Sequence, residues 1–187
     1  GDTSLVSNEI SIVPGYYGPV WHVTTAGSDQ TGDGHEQNPY ATIQNAINQA
    51  ANRDTILIHP GTYSETNIST MYSSKGLVIG SHLLLDGDQD HINTTIVNGG
   101  GSGNVFSMDW LPDTMHHELS GLTIKNGSRG LNVYGARVDL KNLNILNNTG
   151  DNNGAGVSIQ GADADLSNIL VSGNTTSQYG GGVYINN

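Results

Sequence analysis

Acidic and basic side chains recur at matched places in the second half of the chain. Three segments align, Leu119-Ser-Gly-Leu-Thr-Ile-Lys-Asn126, Leu140-Lys-Asn-Leu-Asn-Ile-Leu-Asn147 and Leu166-Ser-Asn-Ile-Leu-Val-Ser-Gly173. Immediately before the leading leucines stand Glu118, Asp139 and Asp165; two residues further back are His116, Arg137 and Asp163. If the segments are stacked strands, each set forms an outward row with steps of about 5 Å. Carboxylates that close repel each other unless a cation bridges them or one is protonated. Oxygen ligands at this spacing suit Ca²⁺, which makes Glu118, Asp139 and Asp165 candidate metal ligands. The plainer reading is a solvated face with an Arg137–Asp163 ion pair across strands.

Other clusters carry less. Asp86, Asp88 and Asp90 alternate as in some Ca²⁺ loops, but His91 and Val97 stand where an EF-hand needs Gly and Glu. A turn between Leu85 and Ile92 explains them. The loop Gly150-Asp-Asn-Asn-Gly154 reads as a flexible insertion. His116 and His117 are adjacent, so on a strand they face opposite ways and do not share a metal. Tyr134 and Tyr179 are candidate carbohydrate-stacking residues, Tyr179 on a protruding loop; packing at an edge is the alternative. The Gly-rich runs at 99–101 and 180–182 lack the Lys-Ser/Thr and helix of a phosphate loop.

These residues must be positioned by a repeat. A second set of segments, Gly130-Leu-Asn-Val133, Gly156-Val-Ser-Ile159 and Gly182-Val-Tyr-Ile185, starts 26 residues apart both times. The first set steps by 21 and then 26, and the difference falls in one loop. Strands kept in step while a loop varies are the mark of a stacked solenoid. Inward positions are then Leu119, Leu122, Ile124, Leu140, Leu143, Ile145, Leu166, Ile169 and Val171. Asn142 over Asn168 is expected to form an Asn ladder at a bend. Upstream, Trp21–Thr25 reads as a strand. Ile43, Ala46, Ile47 and Ala50 share one helical face, which predicts a helix over about 39–51 with Asn38 as N-cap and Pro39 in the first turn. Short apolar segments follow, including Ile56–Ile58, Leu77–Ile79, Leu83–Leu85 and Ile96–Val97, each punctuated by Gly, Asn or Asp, and all read as strands.

Composition limits function. Lys plus Arg total 6 against 17 Asp plus Glu, a formal net charge of −11. Such a surface repels a phosphate backbone, so no nucleic-acid partner is expected. No apolar run reaches the ~18 residues of a membrane span. Without Cys there is neither a disulfide nor a thiolate metal site. The 26 Gly and the many Asn suit bends, not a helical bundle.

A resemblance sharpens the reading. Trp21-His-Val-Thr-Thr-Ala-Gly-Ser-Asp29, Asn38-Pro-Tyr-Ala-Thr-Ile-Gln-Asn-Ala-Ile47 and Asp54-Thr-Ile-Leu-Ile-His-Pro-Gly-Thr-Tyr63 resemble the N-terminal cap and first coil of right-handed parallel β-helix proteins of the pectate-lyase-like superfamily. Leu85-Asp-Gly and Ile96-Val-Asn-Gly-Gly100 resemble the next coil, and Ser172–Tyr184 is similar to repeats of bacterial surface adhesins. The resemblance implies an all-β, right-handed parallel β-helix solenoid with an N-terminal capping strand and one amphipathic capping helix. Residues 1–20 would be an extension, 21–54 the cap, and 55–187 about five coils. By the same resemblance, Arg137 or Lys141 would be the base of a Ca²⁺-dependent polysaccharide lyase.

The function expected is a secreted or cell-surface module, of bacterial type, that meets extracellular polysaccharide or a cell-surface glycan. Alternatives are a lyase or glycoside hydrolase fragment, and a non-catalytic adhesin solenoid. The repeat runs to Asn187 without a capping sequence. A longer parent protein, or self-association through the uncapped C-terminal coil, is therefore expected.

Overall fold

A computed structural model describes residues 18–71, 75–112 and 115–186. The apolar residues Ile10, Ile12 and Val13, most of the proposed extension, and Asn187 lie outside them. In chain order the elements are β1 (Val20–Val23), α1 (Ile43–Gln49), β2 (Thr55–Ile58), β3 (Gly61–Tyr63), β4 (Ile68–Ser69), β5 (Val78–Ser81), α2 (Leu83–Asp86), α3 (Asp90–Thr94), β6 (Thr95–Asn98) and β7 (Asn104–Asp109). Then follow β8 (His117–Lys125), β9 (Arg129–Tyr134), β10 (Arg137–Leu146), β11 (Thr149–Gly150), β12 (Val157–Gln160), β13 (Asp163–Ser172), β14 (Thr175–Thr176) and β15 (Val183–Asn186).

The chain is mostly β, and every strand pairing is parallel. One sheet runs β1-β2-β5-β8-β10-β13, with β6 joining β3 to the far half of β8. A second runs β15-β12-β9-β7-β4, and β11 pairs with β14. Inward residues of the first two sheets share one core, from Val23 and Ile56 through Phe106 and Leu131 to Ile145 and Ile159. The expected register holds: Leu119 pairs with Leu140 and Leu140 with Leu166; Leu131 pairs with Val157 and Val157 with Val183. Leu119, Leu122, Ile124, Leu140, Leu143 and Ile145 are buried, whereas Leu166 on the edge strand β13 is exposed.

Bends recur in rows as well. Gly121, Asn142 and Asn168 take left-handed backbone at equivalent places in β8, β10 and β13, as do Asn126, Asn147 and Gly173 just after those strands. Asn and Gly are the residues that tolerate this region. The Asn142–Asn168 ladder forms, with Asn168 Nδ2 donating to Asn142 Oδ1 at 3.1 Å. A second ladder centres on the buried Asn148. Asn174 Oδ1 accepts from both the backbone N–H and Nδ2 of Asn148, each at 2.9 Å, and Asn148 Oδ1 accepts from Gly127 N–H at 2.8 Å.

Two expectations change. The helix α1 begins at Ile43, not near Pro39: Thr42 is the N-cap and its Oγ1 accepts from Asn45 N–H. Asn38 and Pro39 are instead tied to the preceding loop, Asn38 O accepting from Asp33 and Gly34, and Pro39 O from Ser28. Carboxylates from elsewhere finish the start of α1, Asp29 binding the N–H groups of Ala41 and Thr42 and Glu65 those of Ile43 and Gln44. At the other end Lys75 Nζ donates to the carbonyls of Ile47 and Ala50. Second, α1 is not the only helix. Leu83–Leu85 lie in α2, and Ile92 lies in α3. A three-residue leucine run has no period that separates strand from helix, and Gly87 in left-handed conformation closes α2.

Candidate functional site

The chain leaves β7 at Trp110, whose φ of 46° turns it outward. Its N–H donates to Tyr134 O at 2.9 Å, continuing the ladder in which Asp109 faces Tyr134. The two rings meet edge to face, 5.1 Å between centroids and 69° between planes. Trp110 is 61% exposed and Tyr134 42%. Residue 135 has to be small: its φ is +58°, and a β-carbon there would lie 3.3 Å from Trp110 Cε3. Beside this pair is a cleft of about 290 Å³ lined by Leu111, Gly135, Ala136, Arg137, Gly161 and Asp163. Arg137 Nε and Asp163 Oδ2 stand 3.7 Å apart on its rim, both largely exposed. Apolar ring faces next to a cleft with a few polar groups are what a sugar needs: C–H faces to stack, hydroxyls to hydrogen-bond. Under the platform, burial holds the Asp109 carboxyl above its usual range despite a hydrogen bond from Asn132 Nδ2.

The carboxylate row has its own cation. Asp139 pairs in register with both Glu118 and Asp165. Lys141 Nζ sits between the first two, 3.0 Å from Glu118 Oε2 and 2.9 Å from Asp139 Oδ2. Asp165 is exposed on the edge strand. Burial works against the Lys141 charge, but hydrogen bonds and charge from Asp139 and Glu118 outweigh it and hold its pKa above the ordinary lysine value. A general base needs the opposite shift. This donor set also does not fit Ca²⁺, which wants about six to eight oxygens, because two of its carboxylates already share an ammonium.

Tyr179 is 74% exposed on the loop between β14 and β15, and β12 separates β15 from the strand that carries Tyr134. The residues reasoned from sequence therefore fall into three places: Tyr134 with Arg137, Lys141 with Glu118 and Asp139, and Tyr179 alone. Trp110 was not anticipated, though its signal is local: a large aromatic directly after a strand and before Pro112. A row of histidines, described below, was also missed. Among the described residues no helix is long and apolar enough to cross a membrane.

No curated protein matches the chain in sequence. A solved structure titled rhamnogalacturonan lyase is similar over 90% of this chain at 13% identity and a TM-score of 0.31, too low a score to carry an argument. The chain spans 62% of that protein's length. Residues 25–187 match the family model of DUF1565, described as a protein of unknown function, and the chain belongs to that family.

Proposed function

We propose that the chain is a right-handed parallel β-helix module of the cell exterior that binds a glycan at the Trp110–Tyr134 corner without cleaving it. The solenoid reading rests on the uniformly parallel pairing, the repeated register and the left-handed bends in rows. The right hand follows from the rule for crossovers between parallel strands. One observation carries the binding reading: Trp110 and Tyr134 stand exposed against each other, each directly preceding a residue that lines the Arg137–Asp163 cleft. Large aromatics are normally withdrawn from water, and an exposed pair beside a cleft marks a contact surface. Cleavage is not favoured, since Lys141 is held protonated between two carboxylates and Arg137 stands beside Asp163. With a net charge of −11, neutral glycans are better partners than polyuronates.

Affinity electrophoresis through a panel of neutral and acidic polysaccharides tests this. At least one neutral polysaccharide should retard the protein, and Trp110→Ala should weaken retention by about tenfold or more. Tyr179→Ala should leave it unchanged. No retardation across the panel, or equal retardation of Trp110→Ala, sinks the binding reading. Ultraviolet absorbance from unsaturated products on any uronate substrate sinks the non-catalytic part.

A further inference from the structure

Four histidines distant in sequence stand in one row. His22 lies in β1, His59 follows β2, His82 lies between β5 and α2, and His91 is in α3. Ile58 pairs with Ser81, so the next residues, His59 and His82, stack: their ring centroids are 4.5 Å apart at 70°. His22 Nδ1 is 2.9 Å from His59 Nε2, with centroids 5.2 Å apart. His82 and His91 follow at 5.5 Å, and His91 Nε2 meets Asp86 Oδ2 at 3.0 Å.

The row is not fully paired within the described residues. Two imidazole nitrogens at 2.9 Å are stable if one holds the only proton between them, or if both offer lone pairs to a shared ion. His82 Nε2 is buried and makes no hydrogen bond among the described residues. Burial comes first in lowering the pKa of His22, His59 and His82, with neighbouring imidazoles adding to it, and His59 falls to about 4. Burial thus favours the neutral imidazole in all three, the form that ligates metal. The Glu36 carboxylate is within electrostatic reach of each.

The spacing fits an ion. Imidazole nitrogens about 2.0–2.1 Å from a tetrahedral Zn²⁺ lie about 3.3 Å apart, with their ring centroids about 5 Å apart. The centroid separations of the two neighbouring pairs, 5.2 Å for His22–His59 and 4.5 Å for His59–His82, bracket that value, and the His22 and His59 nitrogens, now 2.9 Å apart, must part slightly to admit the ion. In the rotamers observed, no three His, Asp or Glu side chains among the described residues could hold a metal ion together, so the His82 ring must rotate to bring its unpaired Nε2 in. We propose that His22, His59 and His82 form a binding site for a divalent transition-metal ion of the Zn²⁺ type, bordered by the Asp86–His91 pair. Three nitrogens from three separate strand regions would then fasten the start of the sheet.

Titration calorimetry of the EDTA-treated chain with Zn²⁺ tests it. One ion per chain should bind, and the melting temperature should rise. His59→Gln and His82→Gln should each weaken binding by at least about tenfold, whereas His116→Gln should not. Absence of Zn²⁺ binding, or wild-type affinity in both variants, overturns the site. If the variants fold poorly, Co²⁺ bound to the wild-type chain decides: intense tetrahedral visible bands support the site, and a weak octahedral spectrum overturns it.

Discussion

Along β8 and β10 the stacking brings opposite charges together. Lys141 reaches Glu118 and Asp139, and the row neutralises itself. At the other end of the same sheet the stacking brings like groups together. His22, His59 and His82 crowd, and no carboxylate lies between His22 and His59. The charged row and the His59–His82 contact both follow from parallel register, with His22 joining from two residues out of register, so register alone does not distinguish structure from function. The distinction lies in what remains unsatisfied. The charged row has its donors and acceptors matched within the chain. The histidine row leaves His82 Nε2 buried without a hydrogen-bond partner among the described residues.

Four changes break or sharpen that contrast. The largest isolates a lone buried imidazole. His117 accepts from Leu77 N–H, and burial, with His116 adding, lowers its pKa to about 4. Between about 6.5 and 4 the unfolded chain takes the proton and the folded chain resists it. Stability should fall as pH drops through that window, by up to about 3 kcal/mol, and level off below it. His117→Asn retains an acceptor and should flatten the slope in urea titrations run with EDTA. An unchanged slope would assign the loss to the histidine row.

Next is Lys141→Met, which leaves Glu118 and Asp139 facing without a cation. The expected cost is about 2–3 kcal/mol, reduced from the fully buried case because the Lys141 side chain is 36% exposed. Thermal unfolding should shift down by about 4–10 °C. Added Ca²⁺ should then raise the midpoint of this variant and not of the parent. A midpoint equal to the parent's would show that the row does not depend on its lysine.

Asn148→Ala strips the buried ladder of the acceptor for Gly127 N–H and should cost about 1–2 kcal/mol by chemical denaturation. Smallest is Arg137→Ala. Its partner is 3.7 Å away and both groups are exposed, so stability should move by less than about 0.5 kcal/mol. Glycan retention should nevertheless weaken, which would separate the cleft from the framework. A large stability loss in this variant would place Arg137 in the framework instead.

The repeating half of the fold was legible because its core residues recur at fixed intervals. Leu119, Leu140 and Leu166 could be aligned by eye, and the Asn142–Asn168 ladder with them. The partner of the acidic row was legible in principle, because Lys141 is two residues after Asp139 and so leaves the strand on the same side. The histidine row was not. His22, His59 and His82 are separated by 37 and 23 residues, intervals that match no repeat, since α1 and the loop before it lengthen the first one. Leu83–Leu85 failed for a related reason, as a short apolar run without alternation reads equally as strand or helix. Trp110 and Tyr134 meet only because β7 and β9 are neighbours in the second sheet, a pairing that no spacing in the sequence announces.

The asparagine ladders have an evolutionary reach. Asn142 meets Asn168, and Asn148 meets Asn174, each 26 residues on. A unit whose amide pairs with the same amide in the next unit is its own template. In-frame duplication of one such unit leaves these amides opposite amides and the leucines opposite leucines. Chain length is then free to drift among relatives while the cross-section stays fixed.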